Sequence, residues 1–217
     1  MQGTRQVVVE ADQRPVVYVV DDDPSVLKSL ERLLRSAGYD VETFTSALEF
    51  LESHHRDTPG CLILDVEMPV LNGLDLQERL AARDIAFPVI FITGHGTVPM
   101  SVRAMKAGAL DFLQKPFLDR DLLDVVSGAV ANDGQVKREQ WRLKELRARL
   151  KNLTPREYQV FELVVTGRLN KQIAFHLGTT EKTVKVHRAR VMEKLGAQSL
   201  TDLVRFAEKL GIRSQEV

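Results

Sequence analysis

Cys61-Leu62-Ile63-Leu64-Asp65-Val66-Glu67-Met68-Pro69 sets four apolar residues directly ahead of an aspartate, with a proline four positions further on. A short apolar run closed by a breaker reads as a buried strand of a parallel sheet. Its last residue then sits at the carboxyl edge, where open α/β sheets place their chemistry. Taken alone, Asp65 is either the cap of the next turn or a reactive carboxylate, and both readings stand at this point.

Moving outward, the same alternation repeats. Val16–Val20 is an apolar run ending in Asp21-Asp22-Asp23-Pro24, where Asp23 suits a helix cap and Pro24 its first turn. The helix that follows carries Leu27, Leu30, Leu34 and Ala37 on one face and stops at Gly38. Val41–Phe44 reads as a strand, and Ser46 caps a helix bearing Leu48 and Leu51. After the opening strand comes a helix from about Leu74 to Ala82, then a strand at Val89–Ile92 ending at Thr93. A helix around Ser101–Ala107, a strand at Leu110–Leu113 ending near Lys115-Pro116, and a helix over Asp119–Ala131 complete the series. Five strand–helix units predict an α/β fold with a doubly wound, five-stranded parallel sheet.

In such a sheet the strand ends share one edge. Asp21, Asp22 and Asp65 would meet there, with the hydroxyl of Thr93 and the cation of Lys115 opposite. Three close carboxylates repel unless a hard cation takes oxygens from them, and Mg²⁺ suits one or two carboxylates, waters and a phosphoryl oxygen. A lysine and a hydroxyl could hold the remaining phosphoryl oxygens. The set reads as a site where an aspartate accepts a phosphoryl group.

Charge divides the chain. Its net charge is zero, yet residues 1–134 carry a balance of −9 and residues 135–217 one of +9. The second half therefore suits nucleic acid or another anionic surface. The single cysteine, Cys61, lies in an apolar run, which excludes an internal disulfide and fits a reducing compartment. Val7-Val8-Val9 is too short for a signal peptide, and no apolar run reaches bilayer length, so a cytoplasmic protein with no membrane partner is expected. Residues 1–14 read as a loose leader. Asn132-Asp133-Gly134 is a break signal before a helical linker over 132–152. In that linker Val136, Leu143, Leu146 and Leu150 fit either a coiled coil or one helix lying on its own protein.

Residues 153–217 form the basic unit. Thr154, Pro155 and Glu157 spell a capping box, and the helix they start presents Val160, Phe161, Val164 and Val165. Helices at Lys171–Leu177, Glu181–Leu195 and from Ser199 follow, the last with Leu200, Leu203, Val204, Ala207 and Leu210 inward. Two helices joined by a tight glycine turn inside a basic four-helix unit read as a helix-turn-helix. On the third helix Val184, Val191 and Leu195 mark the buried stripe, with Lys182, Val186, Ala189 and Arg190 opposite and Lys185 on the flank. Small apolar residues among cations suit a major groove. His187 supports a phosphate contact or packs at the helix edge, and Arg188 lies nearer the buried side.

Residues 16–131 resemble the receiver domain of two-component response regulators, through Val20-Asp21-Asp22, Asp65 with Met68-Pro69 and Gly73, Thr93-Gly94 and Lys115-Pro116. Residues 154–210 resemble the LuxR-type helix-turn-helix, through Leu153–Glu157, Asn170–Ala174 and Thr183–His187. Together they are similar to the FixJ/NarL class, with a flavodoxin/CheY-like receiver at 15–131. The resemblance implies that Asp65 is the phosphoacceptor and that Asp21, Asp22, Asp65 and the backbone carbonyl of Glu67 hold Mg²⁺. It further implies that Lys115, before a cis proline, pairs with the phosphoryl group, and that Thr93 and Phe112 form a switch pair. Glu67 and His95 would flank this site. Asn170, Lys171, Thr180 and Thr183 would join Lys182, Lys185, Val186, His187, Ala189 and Arg190 as DNA contacts. The implied partners are a histidine kinase, promoter DNA and a second copy of the chain, with RNA polymerase as a further candidate. The chain would then be no enzyme beyond its own phosphorylation and slow dephosphorylation. A rival reading is a metal-dependent phosphohydrolase with an aspartate nucleophile, Glu67 standing in the general-acid position.

Overall fold

The structure, a computed structural model, describes residues 14–53, 55, 58–83 and 85–212. The expected leader thus lies outside the described residues except for Arg14. The chain divides into two compact units, Met1–Lys137 and Arg138–Val217.

The first unit runs β1 (Val16–Val20), α1 (Pro24–Ser36), β2 (Asp40–Phe44), α2 (Ala47–Glu52), β3 (Gly60–Asp65), α3 (Gly73–Ala82), β4 (Val89–Thr93), α4 (Val98–Lys106) and β5 (Asp111–Gln114), and then enters α5 (Asp119–Lys151). All strand pairs are parallel, in the order β2-β1-β3-β4-β5. Side chains alternate across each strand, so a strand buried on both faces must be apolar throughout. Val16, Tyr18, Val20, Leu62, Leu64 and Phe91 pack with Phe50, Leu74, Leu76, Leu80 and Ala104 from α2, α3 and α4. Val17, Val19, Cys61, Ile63, Ile90 and Ile92 face Leu27, Leu30, Leu34, Leu122 and Val126 from α1 and α5. Burial pushes the Cys61 thiol up to about 12, with the charge of Asp133 adding to the effect, so this cysteine is packing and not a nucleophile.

Asp23, Ser46, Asn72 and Thr97 cap α1 to α4 through side-chain oxygens that accept backbone N–H bonds. Two apolar expectations fail. Ala37 is the exposed C-cap of α1, one residue beyond the helical stripe, and Leu48 is exposed because α2 turns Ala47, Phe50 and Leu51 inward instead.

The break expected at Asn132-Asp133-Gly134 does not occur, for α5 runs through it. These three residues cost a helix about 2 kcal/mol relative to alanine. Tertiary bonds offset that cost. The buried Asp133 carboxylate accepts from the Gly60 backbone N–H at 2.9 Å and pairs with Lys137 at 2.9 Å, and Lys137 also donates to the Thr58 carbonyl at 2.7 Å. Asp133→Ala should strand the Gly60 donor and cost about 2 kcal/mol, read as a lower urea midpoint for the receiver unit. Asp133→Asn, which keeps an acceptor, should lose less.

The second unit contains the last turns of α5 with α6 (Pro155–Val165), α7 (Asn170–His176), α8 (Glu181–Leu195) and α9 (Leu200–Lys209). Its core joins Val160, Phe161, Val164, Ile173, Val184, Val191, Leu195, Leu203 and Ala207. The capping box forms as expected, with the Glu157 carboxylate accepting from the Thr154 N–H at 2.9 Å and from Lys194 at 2.6 Å. The bond from Lys194, then that from Thr154, holds the Glu157 carboxyl down at about 2. Leu200 is exposed at the first turn of α9, contrary to its expected inward place. Leu146 is buried, and it lines one groove with Leu143, Leu195 and Phe206, while Val136 stays exposed.

Candidate functional site: a phosphoryl-acceptor edge and a DNA-reading helix

The carboxyl edge of the sheet gathers the polar strand ends. Asp21 follows β1, Asp65 ends β3, and these strands are neighbours at the point where the strand order reverses. Oxygen atoms of Asp21, Asp22 and Asp65 lie within 4.8 Å of one another, with Asp21 and Asp65 buried and Asp22 exposed. Lys115 Nζ donates to Asp21 at 2.7 Å and to Asp65 at 3.1 Å. Its peptide bond to Pro116 is cis, as expected.

The electrostatics follow from this crowding. Burial raises the Asp65 carboxyl above its ordinary range, and repulsion from Asp21 and Asp22 adds to it, while Lys115 opposes both. Burial works against the Lys115 charge, yet its bonds to Asp21 and Asp65 keep the ammonium above its usual value. A hard divalent cation fits this oxygen set on chemistry and spacing alike, since three carboxylates cluster here and Lys115 is bonded to two of them.

Thr93 is fully buried at the end of β4, one residue past Ile92, the cross-strand partner of Asp65. Its hydroxyl accepts from the His95 N–H at 3.2 Å. Phe112 pairs with Phe91 across β4 and β5 and is only half-buried. Glu67 and His95 meet each other at 3.3 Å, both well exposed.

The loop after β3 shows features the sequence did not disclose. Val70 adopts a left-handed φ of 69° in a three-residue turn closed by Leu71 N–H to the Pro69 carbonyl at 2.8 Å. Gly73 touches the Asp65 main chain so closely that a Cβ would lie 2.2 Å from the Asp65 carbonyl oxygen. Nothing in the Asn72-Gly73 dipeptide names the carbonyl that the glycine must clear.

In the second unit, Lys182, Lys185, Val186, Ala189 and Arg190 form one exposed stripe along α8, at i, i+3, i+4, i+7 and i+8. Lys171 is exposed at the start of α7. Four other expected contacts are partly engaged within the protein. Thr180 caps α8 by accepting from the Thr183 N–H at 3.2 Å, and the two hydroxyls bond at 2.9 Å. Asn170 accepts from Arg188 at 3.3 Å, which fixes that arginine against α7. His187 is half-buried, with Nδ1 in the interior and without a hydrogen bond.

Comparison with known proteins places both halves. Residues 17–127 match the response regulator receiver domain, and residues 151–207 match the bacterial regulatory proteins of the luxR family. Nodulation protein W of Bradyrhizobium diazoefficiens is 50% identical over 203 residues, spanning 94% of this chain and 89% of that protein. The transcriptional regulatory protein FixJ of the same organism is 41% identical over 196 residues, spanning 90% and 96%. The solved structure of the response regulator StyR superposes with a TM-score of 0.84 at 48% identity, covering 91% of this chain and 100% of that one. Among the described residues no helix is long and apolar enough to cross a membrane. Relatives that are regulators along nearly their whole length leave the phosphohydrolase reading without support, and the chain belongs to the FixJ/NarL class of response regulators, a receiver domain joined to a luxR-type DNA-binding domain.

Proposed function

We propose that Asp65 accepts a phosphoryl group from a histidine kinase and that the modified chain dimerises and binds a two-fold promoter site to control transcription. The observation carrying this reading is Lys115 bonded to Asp21 and Asp65 together, a cation already placed beside the acceptor oxygens. An Asp65 oxygen attacks phosphorus, the P–N bond to the kinase imidazole breaks, and the imidazole leaves with the electron pair and takes up a proton. Lys115 then shifts its pairing to the new phosphoryl oxygens. Asp21, Asp22, Asp65 and the Glu67 carbonyl would hold Mg²⁺, which supplies charge neutralisation and orientation for the transferred group.

Thr93 and Phe112 carry the signal, the hydroxyl drawn to the phosphoryl group and the ring following inward. The surface that responds is α4 with β5. Val98, Val102 and Met105 form an exposed apolar stripe at i, i+4 and i+7, and Leu110 is exposed beside it. Arg103, on another side of α4, is held by Asp75 and Glu78 of α3 at 2.9 and 2.8 Å, which leaves the stripe to a partner. Two DNA-binding units brought together gain effective concentration on a two-fold site. The α8 stripe enters the major groove, and α9 supports pairing of those units. Acetyl phosphate with Mg²⁺ should transfer a phosphoryl group to the chain, raise its dimer fraction and sharpen its promoter footprint. Chelation with EDTA should prevent all three, and uptake unaffected by EDTA counts against the metal.

A further inference from the structure

The loop Gly94-His95-Gly96 holds two glycines that differ in surroundings. A Cβ at Gly94 would meet nothing within 4 Å. At Gly96 it would lie 3.0 Å from Phe112 Cε1, 3.1 Å from Thr93 Cγ2 and 3.5 Å from Phe112 Cζ. Carbon atoms pack at about 3.5–4.0 Å, so a methyl group fits at the first two distances only if a neighbour gives way. Gly96 is not among the glycines with positive φ, so its backbone does not require glycine. What it supplies is space, at the point where the two switch side chains converge.

We infer that Gly96 is a positioning residue of the receiver switch, its missing side chain keeping open the passage between Thr93 and Phe112 through which the ring moves inward. This rests on the reading of Asp65, Thr93 and Phe112 given above and extends it to a residue outside that set. The direction of the effect follows from which neighbour can yield. Thr93 is fully buried, and its carbonyl is pinned by the Lys115 N–H at 2.7 Å. Phe112 is half-buried and can turn outward. A methyl at position 96 therefore pushes the ring out and disfavours the inward state. The exposed stripe of α4 starts two residues later, at Val98, so this gate adjoins the surface that would respond.

Gly96→Ala in the full chain tests this with acetyl phosphate and Mg²⁺. Phosphoryl uptake, read on a phosphate-affinity gel, should stay within about twofold of the parent, because Asp21, Asp22, Asp65 and Lys115 are not among the atoms a methyl at position 96 would crowd and the Thr93 methyl, not its hydroxyl, faces it. The dimer dissociation constant of the phosphorylated form, from sedimentation, should rise by about fivefold or more, in line with common coupling strengths between sites. Phe112→Leu removes Cε1 and Cζ, the ring atoms that would clash, so Gly96→Ala should change the dimer dissociation constant far less in a Phe112→Leu background than in the parent. A merely structural defect would not be relieved in this way. Unchanged dimerisation in Gly96→Ala overturns the inference, and so does an equal loss on adding Gly96→Ala to Phe112→Leu. A parent chain that takes up phosphoryl groups without dimerising sinks the wider switch reading together with this one.

Discussion

Asp65→Asn should take up no detectable phosphoryl group from acetyl phosphate, and its dimer fraction and promoter affinity should be the same with and without the donor. Asparagine keeps the shape and one acceptor oxygen for Lys115, now 3.1 Å away, but its amide is no nucleophile toward phosphorus. Unfolding will not account for the loss. A carboxyl raised in the folded state stabilises the fold only while protonated, below its unfolded value, and that contribution is lost as pH rises through the folded value. Burial and the crowding of Asp21 and Asp22 count against the charged form of Asp65, and asparagine carries no charge. The variant should therefore melt no lower than the parent. The decisive measurement is sedimentation with and without acetyl phosphate, and donor-driven dimerisation in the variant would show that Asp65 is not the input.

The order of elements was legible because parallel strands buried on both faces must be continuously apolar, and each such run here ends in a polar residue or a turn. Asp65 could not be assigned from its own stretch. It gained a meaning from Asp21 and Lys115, which arrive at the same edge from 44 residues before and 50 residues after it. The misreadings share a physical cause. Asn132-Asp133-Gly134 breaks a helix by local propensity, but Gly60 and Lys137 supply bonds to Asp133 that only the fold brings near. Leu48 lies out of phase with Ala47, Phe50 and Leu51 on α2, and Leu200, although in phase with Leu203 and Ala207, is exposed at the first turn of α9. Gly73 and Gly96 were visible as glycines, but the carbonyl and the ring they make room for lie across the fold. Contacts defined by an absent side chain leave no pattern in a single sequence.

Val186→Glu should abolish promoter binding while leaving the second unit as stable as before. Val186 is 46% exposed in the middle of the α8 stripe, flanked by Lys182, Lys185, Ala189 and Arg190, so no core packing is lost. A glutamate there sits four residues from both Lys182 and Arg190, and such pairs support an exposed helix by about 0.3–0.5 kcal/mol. In a major groove Lys182 and Arg190 are drawn to the DNA, and the same carboxylate is left facing phosphates and base acceptors. Losing one good contact costs about 1–3 kcal/mol, and an unpaired buried charge adds to that, so a drop of about 100-fold or more is expected on every sequence. Lys185→Ala is the comparator. It removes one cation, so binding should weaken on all DNA alike and the salt slope should shrink by about 0.9 if its contact is to phosphate. Titrations of promoter and scrambled DNA at several salt concentrations separate the two effects. Should Val186→Glu bind its promoter within twofold of the parent, α8 does not enter the groove, and the basic charge of this unit acts only as a nonspecific tether.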